Sequence, residues 1–310
     1  MVTVAIVGGT GNVGKTLVDA FVADGKHKVI VIARKVPKKA SPAPVFAVDY
    51  TNDAQLKDTL EQNNVHTVIS TILMLDPVSA EAERNMIAAA DKATCTKRFV
   101  ASSWGAATPE DESIHLPFHA FRGQSVEALR KTSLEWTRFH NGLFLDYYGI
   151  PHVETYLTPL AFGIDIASRK AAIPGSTGNE VMSVTYTKDL GKFAVAAMGL
   201  EKWDEALSCY SEMTTFNRLI EAAEEATGDK FDVGFDPMEK LQRAEITELP
   251  SHVHMYSFFP KPHLAGLLSR FGIWVVTGDM RVQAEDSLNE RFPEIKTANV
   301  KEIVGAWKGN

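Results

Sequence analysis

The sequence predicts an α/β protein: a doubly wound parallel sheet with a smaller C-terminal substrate or cap region packed on it. Three observations predict this. Short β-branched runs are apolar at nearly every position, amphipathic helical stretches lie between them, and a glycine-rich turn follows the first run directly. Runs without polar alternation suit parallel strands covered on both faces. Strand and helix in alternation, joined by right-handed crossovers, give the doubly wound arrangement.

The elements follow in order. Strands are expected at Thr3–Val7, Lys28–Ala33, Val45–Val48, Thr67–Ser70, Lys97–Ala101 and Glu135–Phe139. The first helix is expected over Val13–Val22, where Val13, Leu17, Val18, Phe21 and Val22 share one face. Asp53–Gln62 and Val78–Lys92 repeat that pattern. Beyond residue 150 the regularity weakens. Ala171–Ser183 is rich in Gly, Ser and Thr and reads as a loop with Pro174, Gly175 and Gly178 as turn formers; Val181–Tyr186 reads as a strand. Helices are expected at Lys188–Gly199, Thr214–Thr227 and Asp236–Thr247. Leu249–Val276 mixes apolar and aromatic residues: Met255, Tyr256, Phe258, Phe259, Phe271 and Trp274. They read either as an apolar wall for a bulky ligand or as core and subunit contact. The expected organisation is therefore a dinucleotide-binding domain over 1–150 and a cap over 151–310, with segments interleaved.

Composition bounds the function. The 310 residues carry 45% hydrophobic and 23% charged side chains, ordinary globular values. A net charge of −7 and a pI near 5.7 lack the basic footprint of a duplex-binding surface, so no nucleic-acid partner is expected. Cys95 and Cys209 match no metal or redox spacing and read as reduced thiols of a cytoplasmic protein. No run reaches the ~18 apolar residues of a membrane helix, and Met1–Gly9 reads as a buried strand, not an export signal. No membrane partner is expected; the chain is read as a monomer or homodimer acting on a small molecule.

The turn after the first strand reads Gly8-Gly9-Thr10-Gly11-Asn12-Val13-Gly14. A strand-to-helix turn this tight needs a residue that tolerates positive φ. A pyrophosphate must approach bare backbone at a helix amino end, where free N–H groups and the dipole favour an anion. The last glycine lets helix and strand pack closely. The turn follows a strand and opens an amphipathic helix, which makes it a Rossmann-type dinucleotide site. Gly8, Thr10, Gly11, Asn12 and Val13 are its candidate residues. The second strand ends on Arg34 and Lys35, where an NAD site would carry an acid. A guanidinium there meets a 2′-phosphate, so the cofactor is read as NADP(H); the alternative is a solvated loop end. Asp49 either accepts from the adenine amino group or caps the next turn. Ser70 and Thr71 end the fourth strand, on the border of the dinucleotide crevice.

These features resemble the NmrA-like and isoflavone-reductase-like branch of the atypical short-chain dehydrogenases. The resemblance is carried by the Gly8–Gly14 turn, by Arg34, and by Lys97-Arg98-Phe99-Val100-Ala101-Ser102-Ser103-Trp104-Gly105. That last stretch is similar to the family's Arg-Phe-x-Pro-Ser-Glu-Phe/Trp-Gly. Glu135–Tyr148 resembles the segment leading to the nicotinamide end of the cofactor, which implicates Asn141 there, and Tyr186–Gly191 resembles a further family segment. The resemblance covers most of residues 1–200 and implies a fungal-type NADPH-dependent reductase, in secondary metabolism, of a bulky enone, carbonyl or iminium. It also leaves open a reduction coupled to cyclisation, or a non-catalytic NADP(H)-sensing regulator of the corepressor type.

The chain departs from the family at the proton donor. Family reductases carry a lysine on the helix before the Glu135 strand; here Arg122 or Gly123 stands in its place. Arginine holds its proton and stabilises anions instead. The Tyr-x-x-x-Lys pair of typical short-chain dehydrogenases is also absent. His119 is then the best placed acid/base by sequence, its alternative being a surface histidine. Ser102 and Ser103 either orient substrate and ribose or cap the following turn. Tyr148 is a further candidate donor. The catalytic candidates are thus His119, Arg122, Ser103 and Tyr148, the cofactor candidates include Ser102 and Asn141, and no metal ligand set is expected.

Overall fold

The structure, a computed structural model, describes residues 1–257 and 259–309. Phe258, one of the aromatics singled out above, lies outside the described residues. The first half forms β1 (Thr3–Val7), α1 (Asn12–Asp24), β2 (Lys28–Ala33), β3 (Val45–Ala47), α2 (Asp53–Gln62), β4 (Val65–Ser70), α3 (Pro77–Lys92), β5 (Arg98–Gly105), α4 (Pro117–Leu129) and β6 (Glu135–His140). The second half adds β7 (Leu143–Phe144), β8 (Ile164–Asp165), β9 (Lys170–Pro174), β10 (Met182–Thr185), α5 (Thr187–Ala197), β11 (Leu207–Ser208) and β12 (Glu212–Thr214). It continues with α6 (Phe216–Thr227), β13 (Asp232–Asp236), α7 (Met238–Gln242), α8 (His252–Met255), α9 (Lys261–Thr277), α10 (Leu288–Arg291) and α11 (Val300–Val304).

Seven strands make one parallel sheet in the order β11-β6-β5-β4-β1-β2-β3. Chain order reverses between β1 and β4, which opens a crevice beyond their carboxyl ends. All five residues of β1 are buried. Val4 and Ile6 pack under α1 and α5 with Leu17, Val18, Phe21, Leu190 and Phe193. Ala5 and Val7 pack under α2, α3 and α4 with Leu56, Leu60, Met86, Ile87 and Leu129. Burial on both faces is why these runs are apolar throughout.

The second half does not stay apart from the first. Its α5 lies against α1, and β11 pairs with β6 at the sheet edge. The rest builds a third core around two small sheets, β12-β10-β7 and β13-β9-β8, with α6, α9 and α11. Three expectations are corrected here. Lys170–Pro174 is a strand that runs into the segment read as loop; it pairs with β13, some 60 residues on, and with β8. Asp236–Thr247 is not one helix. Its helical part is only Met238–Gln242, because buried Asp236 folds the segment back, accepting from Lys240 Nζ (2.7 Å), Thr247 N (2.8 Å) and Thr247 Oγ1 (2.6 Å). Ala244, at φ +57°, then reverses the chain. Thr214 ends a strand, and Thr215 caps α6 through a bond from Arg218 N. Of the aromatic cluster, Trp274 is buried and Tyr256, Phe259 and Phe271 pack against the cap core.

Candidate active site

The glycine turn is built for a bare helix end. Gly8 sits at φ +76° and its N–H donates to Ile32 O (2.8 Å). Gly11 N donates to Gly8 O (2.9 Å), and Gly11 then starts α1 with no side chain capping it. Thr10 and Val13 are half-buried, and Gly11 and Asn12 exposed, so the first N–H groups of α1 face outward without a protein acceptor. A Cβ at Gly14 would lie 2.4 Å from Gly8 O and 2.6 Å from Thr71 Oγ1. Thr71 closes the other side, its N–H and Oγ1 both donating to Val7 O (2.8 and 2.7 Å). This cradle fits an anion on backbone donors. Arg34 and Lys35 are both exposed just past β2. Asp49 accepts from Thr51 N (2.9 Å) and Thr51 Oγ1 (2.8 Å), which holds its carboxyl below the usual range; it acts as the turn's cap.

The ends of β4 and β5 are stapled by a residue that sequence reasoning missed. Glu83 of α3 is 0% exposed. Its carboxylate accepts from Ser70 Oγ and from Ser102 N (2.9 Å), and burial pushes it up to about 7. Ser102 Oγ donates to Ile72 O (2.8 Å), and Trp104 Nε1 to Ser70 O (2.9 Å). The serines therefore frame the crevice floor through these bonds. The signal for Glu83 was its spacing: it precedes Ile87 by four and Ala90 by seven, on the face that must be buried.

At the end of β6, Asn141 is fully buried. Its N–H donates to Gly105 O (2.8 Å) and its carbonyl accepts from Thr185 Oγ1 (2.6 Å), but its Oδ1 has no partner. A buried amide oxygen left without a donor fits a ligand N–H.

The four catalytic candidates divide. His119 is buried against Trp274 (5.2 Å), Phe118 (4.5 Å) and His115 (4.9 Å). Its Nδ1 accepts from Leu116 N (3.2 Å), which leaves the proton on Nε2. Burial, and then the Arg122 charge, push it down to about 3. Arg122, half-buried, lies over the Phe118 ring at 4.5 Å; burial and the Arg138 charge lower it to about 10. Ser103 is buried at the end of β5. Tyr148 stands elsewhere: buried in the cap core, it donates to Phe162 O (3.0 Å), and burial pushes its hydroxyl well up. The contacts thus assemble Gly8, Gly11, Thr71, Ser70 and Ser102 at the ends of β1, β4 and β5, and set His119 and Arg122 both against Phe118. A groove of about 710 Å³ also opens between α1 and α5, lined by residues such as Ala20, Tyr156 and Val195, and none of the residues above lines it. Among the described residues no His, Cys, Asp and Glu group could hold a metal, and no helix is long and apolar enough to cross a membrane.

The comparisons agree with this architecture. The chain is 33% identical over 301 residues to the oxidoreductase BOA1 of Botryotinia fuckeliana, covering 95% of this chain and 96% of that protein. It is 30% identical over 339 residues to the oxidoreductase swnN of Metarhizium robertsii, covering 98% and 96%. In fold it is similar to the binary complex of leucoanthocyanidin reductase and NADPH from Vitis vinifera, at a TM-score of 0.74 and 16% identity over 98% of this chain and 99% of that one. The NmrA-like family model matches residues 2–271, and the chain belongs to the NmrA-like family.

Proposed function

We propose that the protein binds NADP(H) across the β1/β4 crevice and is an oxidoreductase that reduces a bulky, largely apolar small molecule at a carbonyl, enone or iminium carbon. One observation carries the reading: α1 begins uncapped at Gly11, in a turn where Gly14 has no room for a Cβ. The relatives named as oxidoreductases and the reductase solved with NADPH support it. Thr10, Asn12 and Val13 would give N–H groups to a pyrophosphate. Arg34, with Lys35 beside it, would meet the 2′-phosphate. The orphan Asn141 Oδ1 would accept from a carboxamide.

When bound, the reduced nicotinamide supplies a hydride. The chain's own part is positioning and charge. His119 stays neutral through the physiological range, so it offers a hydrogen bond from Nε2–H and not a mobile proton. Arg122 places a fixed positive charge near a developing oxyanion. An iminium needs no proton at all, and an alkoxide takes one from water. Ser103, at the end of β5, would orient the substrate.

A second reading, a nucleotide-sensing regulator that holds NADP(H) without turnover, is favoured by the missing α4 lysine and the neutral His119. Fluorescence titration and stopped-flow oxidation separate the two. Arg34→Ala should weaken NADPH binding about 10- to 100-fold, the loss of a charge-assisted contact, and leave NADH binding unchanged. Unaltered NADPH affinity in that variant would sink the cofactor assignment. Oxidation of bound NADPH by one class among aldehydes, enones and cyclic iminium ions supports the oxidoreductase. Tight binding with no oxidation across the panel supports the sensor.

A further inference from the structure

Between the glycine cradle and Asn141, the carboxyl ends of the sheet carry one large flat side chain. The strands stand in the order β6-β5-β4-β1, so a dinucleotide held at Gly11 and reaching Asn141 must cross the ends of β4 and β5. Trp104, from the end of β5, spans that interval. Its Nε1 donates to Ser70 O (2.9 Å), one residue before Thr71 of the cradle. On the other side Gly105, the next residue, accepts from Asn141 N (2.8 Å) at its carbonyl. Short contacts thus tie this residue pair to both ends of the path.

The indole is also fixed in its plane. One face lies on the buried Phe139 ring, with centroids 5.1 Å apart and 24° between the planes. That contact and the Nε1 bond together set its tilt. No other ring of the described residues meets it. Trp104 is half-buried, whereas Trp136, Trp203, Trp274 and Trp307 are buried. There is room beside it: a Cβ built on Gly105 would find no atom within 4 Å beyond its chain neighbours. An indole already held rigid loses little entropy when a second flat ring is laid on it.

We propose that Trp104 is the platform on which the nicotinamide ring stacks, which leaves only the opposite face of that ring to the substrate. The inference rests on reading the crevice as the cofactor site, with Asn141 at its nicotinamide end. It adds a face-to-face contact to the hydrogen bond at Asn141, and it gives Trp104 a part in binding, not in moving a proton.

The test is titration of the full chain with NADP+, followed by difference absorption and by calorimetry. Adenosine 2′,5′-bisphosphate, which lacks the nicotinamide, is the control ligand. An electron-rich indole stacked on the electron-poor oxidised ring gives a weak charge-transfer band to the red of both chromophores. NADP+ should produce that band in the wild type, and the control ligand should not. Trp104→Leu should abolish the band and weaken NADP+ about three- to tenfold, the worth of an aromatic pair, with affinity for the control ligand unchanged. Trp104→Phe also lacks the indole N–H but keeps a ring, so it should lose the band and regain most of the NADP+ affinity. NADP+ binding without a band overturns the platform and leaves the crevice reading standing. Native NADP+ affinity in Trp104→Leu, or an equal loss for both ligands, overturns it too, because the indole would then only tie β4 to β5. If neither ligand binds the wild type, the crevice reading itself fails and the platform with it. Where a variant fails to fold, the wild-type band still decides, since the other four tryptophans are buried away from any ligand.

Discussion

Glu83 has two donors and no cation beside it, so its charge state is set by burial. The folded chain holds its carboxyl at about 7 against an ordinary value near 4.5. A raised acid binds its proton more tightly in the folded state than in the unfolded one. Its contribution is therefore fully present below pH 4.5 and is lost as pH rises through about 7. The gap corresponds to roughly 3 kcal/mol at most. Glu83→Gln keeps an acceptor for Ser102 N and a donor toward Ser70 Oγ without a charge, so it should flatten that fall. Urea midpoints of both proteins at pH 5 and pH 8 check this: the wild type should lose more stability than the variant between them. Equal losses would mean that Glu83 does not titrate in this window. His119 makes the opposite case at the same scale. Held near 3, it should impose no limb near pH 6.5 on turnover. A limb there that disappears in His119→Gln would falsify the assignment of a neutral imidazole. The charge state of neither residue could be read from the sequence. Glu83 shows only as an acid on an apolar helix face, and the fate of His119 is set by Trp274, far away in the chain.

At the scale of elements, legibility follows how local the cause is. The central strands of the first half could be read because burial on two faces writes itself into each run, as it does in β1 and β2. The Gly8–Gly14 turn was legible because the residues that make it are contiguous. β9 and β13 were not, since Lys170–Pro174 becomes a strand by pairing with both β13 and β8 and Asp232–Asp236 by pairing with β9, and four of the five residues of β13 are exposed. The segment after Asp236 carries helical spacing, yet one buried carboxylate folds it back. The surroundings of Asn141 are assembled by tertiary contact, so its orphan oxygen leaves no pattern in the chain. The turn itself supports a sharp expectation. Gly14→Ala would force a Cβ to 2.4 Å from Gly8 O, a backbone atom that cannot move aside without opening the turn. NADPH affinity should fall by at least about tenfold, and stability by about 1–3 kcal/mol from overpacking. Isothermal titration and thermal unfolding measure the two. An alanine variant with native affinity would mean that the turn is looser than its contacts state.

Across the whole molecule, residues from before and after residue 150 share one core beneath α1 and α5. The α1 face of the sheet buries Leu17, Val18 and Phe21, and its cover is α5, with Leu190, Phe193 and Ala197, from beyond residue 150. The edge of β6 is closed by β11. On the other side, Trp274 Nε1 of the cap donates to Ile114 O (3.1 Å) and its ring meets His119 (5.2 Å). Cutting the chain after residue 150 would expose each of those three apolar side chains at about 1.5–3 kcal/mol apiece, together comparable to the 5–15 kcal/mol that holds a typical domain. A fragment of residues 1–150 should therefore fail to show native-like amide dispersion or bind NADPH, although it contains the glycine turn, Arg34, Thr71, Ser102 and Asn141. Co-expression with residues 151–310 should restore both, because the second fragment brings α5 and β11 back to the sheet. The full chain should unfold by heat in a single transition. If the fragment alone folded and bound NADPH at native strength, the cap would be an appended module, and the coupling through Trp274 would have no bearing on the crevice. If only the paired fragments bind, the nucleotide site depends on a helix and a strand that lie wholly in the half of the chain where its own motif is absent.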